Sequence, residues 1–307
     1  MKLEKSYTLK EIAGFLNAKY LGNDEHKITG INEIHMVEPG DITFVDFHKY
    51  YDKALNSKAS TVIINKNVTP PEGKALIISD DPFRDFNKIV TRFRNFEPCA
   101  KNISDSAKIG QGTIIQPGAF IGNHVTIGEN CIIHSNVSIY DHTIIGNNVI
   151  IQSNAVIGGD AYYFKRRPTH YEKMESCGRT ILEDDVEIGA LCAVDKGVSG
   201  DTIIGKGTKL DNHVQIGHDT HVGRHCLIGA HSAIAGVTTI EDEVCIWAQV
   251  MVNKDITIGK GAVLLATSGV DKSLEGGKVY FGSPAVEARK KWREIVTLRK
   301  MAENYKE

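Results

Sequence analysis

A six-residue spacing of aliphatic residues runs through more than half of this 307-residue chain, and no other feature restricts its fold as strongly. The spacing starts at Ile103, is interrupted twice, and ends at Val270. The aliphatic anchors are Ile103, Ile109, Ile115, Ile121, Ile127, Ile133, Ile139, Ile145, Ile151, Ile157, Leu182, Ile188, Val194, Ile204, Leu210, Ile216, Val222, Ile228, Ile234, Ile240, Ile246, Val252, Ile258, Leu264 and Val270. A short fixed period repeated this often is typical of a solenoid of stacked coils.

The residues around the anchors indicate the shape of one coil. Many anchors are followed by glycine, as at Gly122 and Gly217, and a residue without Cβ suits a sharp corner. Three hexads then make one triangular coil. Small residues are expected to point inward four positions after the anchor, and we assign to that position Ala119, Val125, Ala155, Val214, Ala233 and Ala248. In period and composition, residues 100–275 resemble the left-handed parallel β-helix of the hexapeptide-repeat acyltransferases.

Composition restricts the compartment and the partners. The net charge of −2 gives no reason to expect a nucleic-acid partner, and no apolar run approaches the ~18 residues of a membrane span. Residues 1–5 are not followed by an apolar stretch, so we expect no signal peptide, no stable membrane insertion and a cytoplasmic location. The cysteines lack CxxC spacing, and Cys131, Cys192 and Cys226 fall four positions after an anchor, which predicts reduced core residues.

Residues 1–98 show a different pattern, which predicts a small α/β domain. Thr8 and Glu11 have the spacing of a capping box, which marks the start of a helix. The other predicted elements are strands at 41–45 and 60–64 and helices at 49–56 and 83–93. The solenoid domain is assigned to residues 99–281, so the predicted fold class is mainly β.

The end of the chain, residues 282–307, is predicted to be a C-terminal helix. Residues 282–285, Gly-Ser-Pro-Ala, end the coil, and the helix is expected to span 286–305. It has an apolar stripe that includes Trp292 and Val296, and a basic side. Such a helix would cover the edge of the last coil, which otherwise exposes unpaired backbone groups.

Histidines concentrate between residues 213 and 231. Residues eighteen apart occupy equivalent places on successive coils, about 4.8 Å from each other. His213 is therefore predicted to stack on His231, and His218 to lie one coil below Gly236. An imidazole next to a backbone N–H offers a general base and an oxyanion donor, the two groups that acyl transfer needs. Because the next position in the first stack is Gln249, we predict no metal site.

Three features together resemble the UDP-3-O-(3-hydroxyacyl)glucosamine N-acyltransferases of lipid A biosynthesis. The domain order is similar: a uridine-binding α/β domain, a left-handed β-helix and a C-terminal helix. Residues 211–218, Asp-Asn-His-Val-Gln-Ile-Gly-His, resemble the D-N-x-x-Q-I-x-H catalytic strand of that family. Residues 279–285, Val-Tyr-Phe-Gly-Ser-Pro-Ala, are similar to the motif that precedes its C-terminal helices.

The resemblance implies catalytic and sugar-binding roles for four residues. His218 corresponds to the general base that deprotonates the glucosamine 2-amine, and Gly236 to the backbone N–H donor to the thioester oxyanion. Asp211 and Gln215 correspond to positions that hold the amino sugar and the acyl hydroxyl. The transferred group is then a 3-hydroxyacyl chain.

The resemblance also implies a nucleotide site and partners. Residues 41–44 followed by Lys49 and Tyr50 resemble the uridine site, in which Phe44 is expected to stack on uracil and Tyr50 to reach the diphosphate. No bound cofactor is expected, because the acyl donor is carried on the 4′-phosphopantetheine of acyl carrier protein. The family implies a homotrimer with sites between subunits and a UDP-sugar acceptor, and the basic side of the C-terminal helix suits an acidic carrier protein.

The chain departs from the family pattern at three places. Phe47 stands where the family commonly has asparagine near the uracil, and Asp255 lies in a stretch where many members have a second histidine. Residues 159–164, Gly-Asp-Ala-Tyr-Tyr-Phe, replace the usual G-D-G-F-type loop start, and residues 165–167, Lys-Arg-Arg, which follow, are expected to be a solvated loop rather than a phosphate contact. Two alternatives therefore stay open: an acetyl-CoA-dependent N-acetyltransferase acting on another nucleotide sugar, and a non-catalytic scaffold that binds a nucleotide sugar.

Overall fold

The structure is a computed structural model that describes residues 1–305 in two units. The first unit comprises Met1–Pro98 together with Tyr163–Gly178 and Val198–Gly200, and the second contains the remainder. The first unit thus includes two stretches from within the range 99–281 assigned to the solenoid. In the described residues, no helix is long and apolar enough to cross a membrane.

A six-stranded sheet with strand order β1-β3-β4-β5-β6-β2 forms the first unit. Its strands are β1 (Lys2–Thr8), β2 (Lys19–Leu21), β3 (Lys27–Ile31), β4 (Asp41–Val45), β5 (Thr61–Ile64) and β6 (Ala75–Ile78). Its helices are α1 (Leu9–Leu16), α2 (Tyr51–Leu55) and α3 (Pro82–Phe93), with a 3₁₀ turn at His48–Tyr50. The four central strands are parallel, and β1 and β2 are antiparallel edges. The predicted α/β class is therefore confirmed.

The helices of this unit begin where the sequence predicts. Thr8 and Glu11 form the capping box of α1, with each side chain bonded to the backbone N–H of the other residue. Asp81 caps α3, whose first residue is Pro82. The side chains of Phe86 and Ile89 on α3 are fully buried, because its apolar face packs on β4 and β5.

Residues 163–178 form a β-hairpin of β16 (Phe164–Arg166) and β17 (Tyr171–Lys173), and the prediction of a solvated loop is wrong. Lys165 pairs with Asp46, and Arg167 pairs with Asp81 at 2.7 Å. The side chains of Lys165 and Arg167 are only 20% and 19% exposed, because these ion pairs hold them against the unit. Aliphatic periodicity indicates where the coils are interrupted but carries no information about the ion pairs of an insertion.

The second unit is a parallel β-helix with three faces, each a sheet whose strands are parallel except for the last strand of the second face. The first face contains β7 (Lys108–Ile109), β10 (Thr126–Ile127), β13 (Ile144–Ile145), β18 (Arg179–Leu182), β21 (Asp201–Ile204), β24 (His221–Val222), β27 (Thr239–Ile240) and β30 (Thr257–Ile258). The second contains β8 (Ile114–Ile115), β11 (Ile132–Ile133), β14 (Ile150–Ile151), β19 (Glu187–Ile188), β22 (Lys209–Leu210), β25 (Leu227–Ile228), β28 (Cys245–Ile246), β31 (Val263–Leu264), β33 (Val279–Phe281) and β34 (Val286–Glu287). The third contains β9 (Phe120–Ile121), β12 (Ser138–Ile139), β15 (Val156–Gly159), β20 (Ala193–Asp195), β23 (Gln215–Ile216), β26 (Ala233–Ile234), β29 (Met251–Val252) and β32 (Gly269–Val270). The predicted fold, a left-handed parallel β-helix, is confirmed.

The anchors fill the interior of this helix. From Ile121 to Val270 every anchor is buried, whereas Ile103 and Ile109 at the first coil are exposed. The predicted core cysteines Cys131, Cys192 and Cys226 are buried and reduced.

The inward assignment of Ala233 and Ala248 is wrong. Both residues are half-buried, and the buried positions four after their anchors are Ser232 and Val250. Ala233 directly precedes the anchor Ile234 and faces outward, since successive strand residues point to opposite faces.

The last coil ends in a strand and a helix. β34 pairs antiparallel with β33, and α4 spans Ala288–Asn304, so the predicted helix starts two residues later than expected. The apolar side chains of Trp292 and Val296 on α4 are exposed. The edge of the second face is thus covered by β34 rather than by the helix alone.

Candidate active site

The stacking of His218 under Gly236 is present in the structure. Ile216 on β23 pairs with Ile234 on β26, and each is followed two residues later by His218 and Gly236. A Cβ added to Gly236 would lie 2.8 Å from Nε2 of His218, closer than real Cβ atoms approach other groups. Only glycine therefore leaves the imidazole in this position.

Asp219 orients the imidazole of His218. Its Oδ2 lies 2.9 Å from Nδ1 of His218, and its side chain is 1% exposed. The backbone N–H of Asp219 donates to Oγ1 of Thr202 at 2.8 Å, which fixes the backbone that carries this carboxylate. A carboxylate at Nδ1 favours a proton on that nitrogen, which makes Nε2 the nitrogen that acts as acceptor. Sequence reasoning missed this residue, although it directly follows His218.

The N–H of Gly236 differs from its equivalents at several other corners. At these corners an Asp or Asn side chain of the next coil accepts the bond, as Asp242 does from Arg224 at 2.8 Å and Asn212 from Ala190 at 2.7 Å. Within residues 1–305, the N–H of Gly236 donates no hydrogen bond. An unused donor beside an imidazole is suited to an anionic oxygen that forms during a reaction.

Gln215 lies on the outer surface of the same coil. Its neighbours on the coils below and above are Ala193 and Ala233, whose small side chains leave the amide accessible. Its Nε2 donates to Oδ2 of Asp195 at 3.3 Å. Burial raises the pKa of Asp195 to about 6, and the positive charge of His218 and the bond from Gln215 oppose this increase.

Asp211 is not brought next to His218 within one chain. It follows β22 on the second face and is exposed, whereas His218 follows β23 on the third face. Its Oδ1 accepts from the backbone N–H of Asn212 at 2.8 Å. The two residues therefore occupy different corners of one coil.

The residues of the predicted nucleotide site lie together in the first unit. The ring of Phe44 is half-buried, with its centroid 4.8 Å from that of Phe86. Lys49 and Tyr50 are exposed on the 3₁₀ turn, and Nζ of Lys49 lies 4.6 Å from the centroid of the Tyr50 ring. Phe47 is 59% exposed beside them. Within this set of residues, Phe44 offers an aromatic face and Lys49 offers a cation.

His213, His225 and His231 occupy exposed corners. The rings of His213 and His231 are stacked with centroids 4.6 Å apart, as predicted. Their backbones have positive φ, like the Asn and Asp residues at equivalent corners. These are positions where asparagine, aspartate and histidine are enriched among residues other than glycine.

Two family models match the chain. The one described as UDP-3-O-(3-hydroxymyristoyl) glucosamine N-acyltransferase, LpxD, matches residues 25–92, and the bacterial transferase hexapeptide model matches residues 124–159 and 201–236. The first match covers most of the α/β unit, and the second covers coils that include His218 and Gly236.

Similar proteins extend over almost the whole chain. A UDP-3-O-acylglucosamine N-acyltransferase of Campylobacter lari is 39% identical over 305 residues, which cover 92% of this chain and 94% of that protein. One of Campylobacter jejuni is 36% identical over 327 residues, covering 97% and 98%. Among solved structures, the UDP-N-acetylglucosamine acyltransferase of Bacteroides fragilis has a TM-score of 0.55 and 25% identity, and the match covers 61% of this chain and 71% of that one.

Proposed function

Because the chain belongs to the UDP-3-O-acylglucosamine N-acyltransferase family and is therefore an N-acyltransferase, we propose a specific reaction for it. It transfers a 3-hydroxyacyl group from acyl carrier protein to the 2-amine of UDP-3-O-(3-hydroxyacyl)-glucosamine in lipid A biosynthesis. The observation that carries this proposal is Nε2 of His218 beneath the unused N–H of Gly236.

His218 acts as the general base. The amine nitrogen attacks the thioester carbon and forms the C–N bond, while Nε2 of His218 takes a proton from that nitrogen. The C–S bond then breaks, and the leaving thiolate receives the proton. The products are the amide and the free phosphopantetheine thiol. Asp219 stabilises the imidazolium formed between these steps, since it accepts from Nδ1 at 2.9 Å.

Gly236 stabilises the negative charge on the thioester oxygen. The carbonyl oxygen becomes an oxyanion when the amine adds, and a donor positioned in advance stabilises it without reorganisation. Removing one such donor in other acyl-transfer enzymes costs ~10²–10³ in rate. The absence of a Cβ at Gly236 leaves the room between imidazole and N–H in which the tetrahedral carbon has to fit.

The UDP group of the acceptor binds in the first unit. Phe44 presents an aromatic face for the uracil, and Lys49 and Tyr50 supply an exposed cation and a phenol for the diphosphate. Asp211 and Gln215 hold the amino sugar and the acyl hydroxyl, with Asp211 contributed by a neighbouring subunit. This arrangement accounts for the separation of Asp211 from His218 within one chain.

Exposed surfaces support the proposed acyl donor and the proposed assembly. Basic residues such as Arg293 and Arg299 lie beside the exposed Trp292 on α4, a surface suited to an acidic carrier protein. Apolar side chains such as Leu227 and Met251 are more than half exposed on the solenoid faces. We assign these faces to a homotrimer, and the enzyme to the cytoplasm, where acyl carrier protein is present.

The test is acyl transfer measured by mass spectrometry with UDP-3-O-(3-hydroxyacyl)-glucosamine and 3-hydroxyacyl-carrier protein. The His218→Ala enzyme is expected to lose at least ~10²–10⁴ in kcat while its circular dichroism is unchanged. His225→Ala, which removes an exposed corner histidine outside the site, is the matched control and should retain full activity. Parent enzyme that is folded but gives no amide with these substrates, or with acetyl-CoA in their place, would favour a binding scaffold. Turnover with acetyl-CoA alone would favour the N-acetyltransferase.

A further inference from the structure

A second carboxylate, that of Asp195, lies in the coil below His218. Asp195 follows Val194 on β20, and Val194 pairs with Ile216 on β23. Asp195 is therefore located below Gly217, next to the base. A Cβ added at Gly217 would lie 2.6 Å from the nitrogen of Gly236 in the next coil, so side chains at this position point to the coil above. By this repeat geometry, the side chain of Asp195 extends towards the Gly217–His218 backbone.

The surroundings of Asp195 provide little stabilisation for its charge. On one side, the neighbour of Oδ1 is Gly159, whose added Cβ would lie 3.8 Å from this oxygen. Glycine has no side chain and so donates no side-chain hydrogen bond to Oδ1. On the other side, Nε2 of Gln215 donates to Oδ2 at 3.3 Å. Two further charged groups act on it: His218, and Asp160, which is paired with Lys196 at 2.7 Å.

We propose that ionised Asp195 is a positioning residue that fixes the amide of Gln215 for substrate binding. A carboxylate accepts hydrogen bonds and donates none, so it holds the NH₂ group of the amide and turns Oε1 away from Asp195, towards the outer surface of the coil. Oε1 then accepts from an O–H or N–H group of a substrate. The proposal rests on the proposed function, because that function assigns Gln215 to a hydroxyl-bearing acyl chain.

Protonation of Asp195 removes its preference for the NH₂ group of the Gln215 amide. A neutral carboxyl group carries one donor, which can bond to Oε1 of Gln215 and reverse the amide. The pKa of about 6 puts this change within the pH range over which enzyme activity is ordinarily measured. Productive catalysis then needs both an ionised Asp195 and a neutral His218. Two required deprotonations give an acid limb of log(kcat/KM) against pH with a slope of about 2 instead of about 1.

The experiment compares pH profiles of kcat/KM for the parent, Asp195→Asn, Gln215→Ala and the double variant, all with 3-hydroxyacyl-carrier protein. The parent is expected to reach a slope of about 2. Asp195→Asn and Gln215→Ala should each reach about 1, with plateaus lowered by about tenfold, which is the effect of one lost hydrogen bond. The double variant should match Gln215→Ala, because Asp195 acts through that amide.

Three results would overturn the proposal: a parent slope of about 1, an unchanged slope in Asp195→Asn, or additive losses in the double variant. If Asp195 had a purely structural role, its substitution would change the amount of folded enzyme but would leave the slope of the pH profile unchanged. Failure of the proposed function is recognised separately, because His218→Ala would then stay active or the parent would give no amide.

Discussion

Asp195→Asn should make the protein more stable at neutral pH even though it lowers activity. Burial raises the pKa of Asp195 from its ordinary value of 3.8 to about 6, so the folded protein holds this proton more tightly than the unfolded chain does. For such a group, the free energy of unfolding falls as pH rises from about 4 through about 6. Asparagine cannot ionise and avoids this cost.

The magnitude follows from the two pKa values. At ~1.4 kcal/mol for each pKa unit, the difference between 3.8 and about 6 corresponds to up to about 3 kcal/mol at pH 7. At pH 4 the carboxyl group is protonated in the folded protein and about half protonated in the unfolded chain, so the advantage of the Asp195→Asn variant shrinks to about 0.5 kcal/mol.

The assay is urea unfolding followed by circular dichroism at pH 4 to 7 and a fixed protein concentration, because the stability of the proposed homotrimer would depend on concentration. Asp271→Asn removes an exposed carboxylate from a corner outside the site and serves as the control, which should be near neutral at every pH. A gain for Asp195→Asn that is the same at pH 4 and pH 7, or no gain at pH 7, would refute the reasoning.

Two further outcomes test the site. Gly236→Ala should lower kcat by at least ~10²–10³ without unfolding the protein, because its Cβ would lie 2.8 Å from Nε2 of His218 and has to displace the imidazole. Gly14→Ala, which adds the same Cβ on α1 where no atom lies within 4 Å, is the control, and equal activity of the two variants would contradict this geometry. Lys49→Ala should raise KM for the UDP-sugar by about tenfold with kcat unchanged, since it removes an exposed cation from the proposed diphosphate site. The control is Lys53→Ala, which removes another exposed lysine on the adjacent α2 and should leave KM unchanged. Similar KM values for the two variants would count against a diphosphate contact at Lys49.

The architecture could be predicted from the sequence because its physical cause is local and repeated. Each anchor from Ile121 onwards is buried for the same reason, and eighteen residues later the same environment recurs. This regularity also located Gly236 above His218. The capping box at Thr8 and the proline at the start of α3 were similarly local signals.

Asp195 could not be found in this way, because its coil does not have the regular length. Ala193 pairs with Gln215, which is 22 positions later in the chain, so a count of eighteen places Gly197 rather than Ala193 under Gln215. The additional residues include Val198–Gly200, which belong to the first unit. A side-chain contact across a coil of irregular length can be identified only when the strand register is known.

The reversal of direction at β34 ends the second face of the solenoid. A parallel coil leaves its last backbone groups in the arrangement that the next coil would use, so in principle the stack is a template for its own extension. β34 runs opposite to β33, and its hydrogen-bonding groups are spaced for an antiparallel neighbour. Growth of filaments by end-to-end addition of coils at this edge is therefore disfavoured by a strand of two residues.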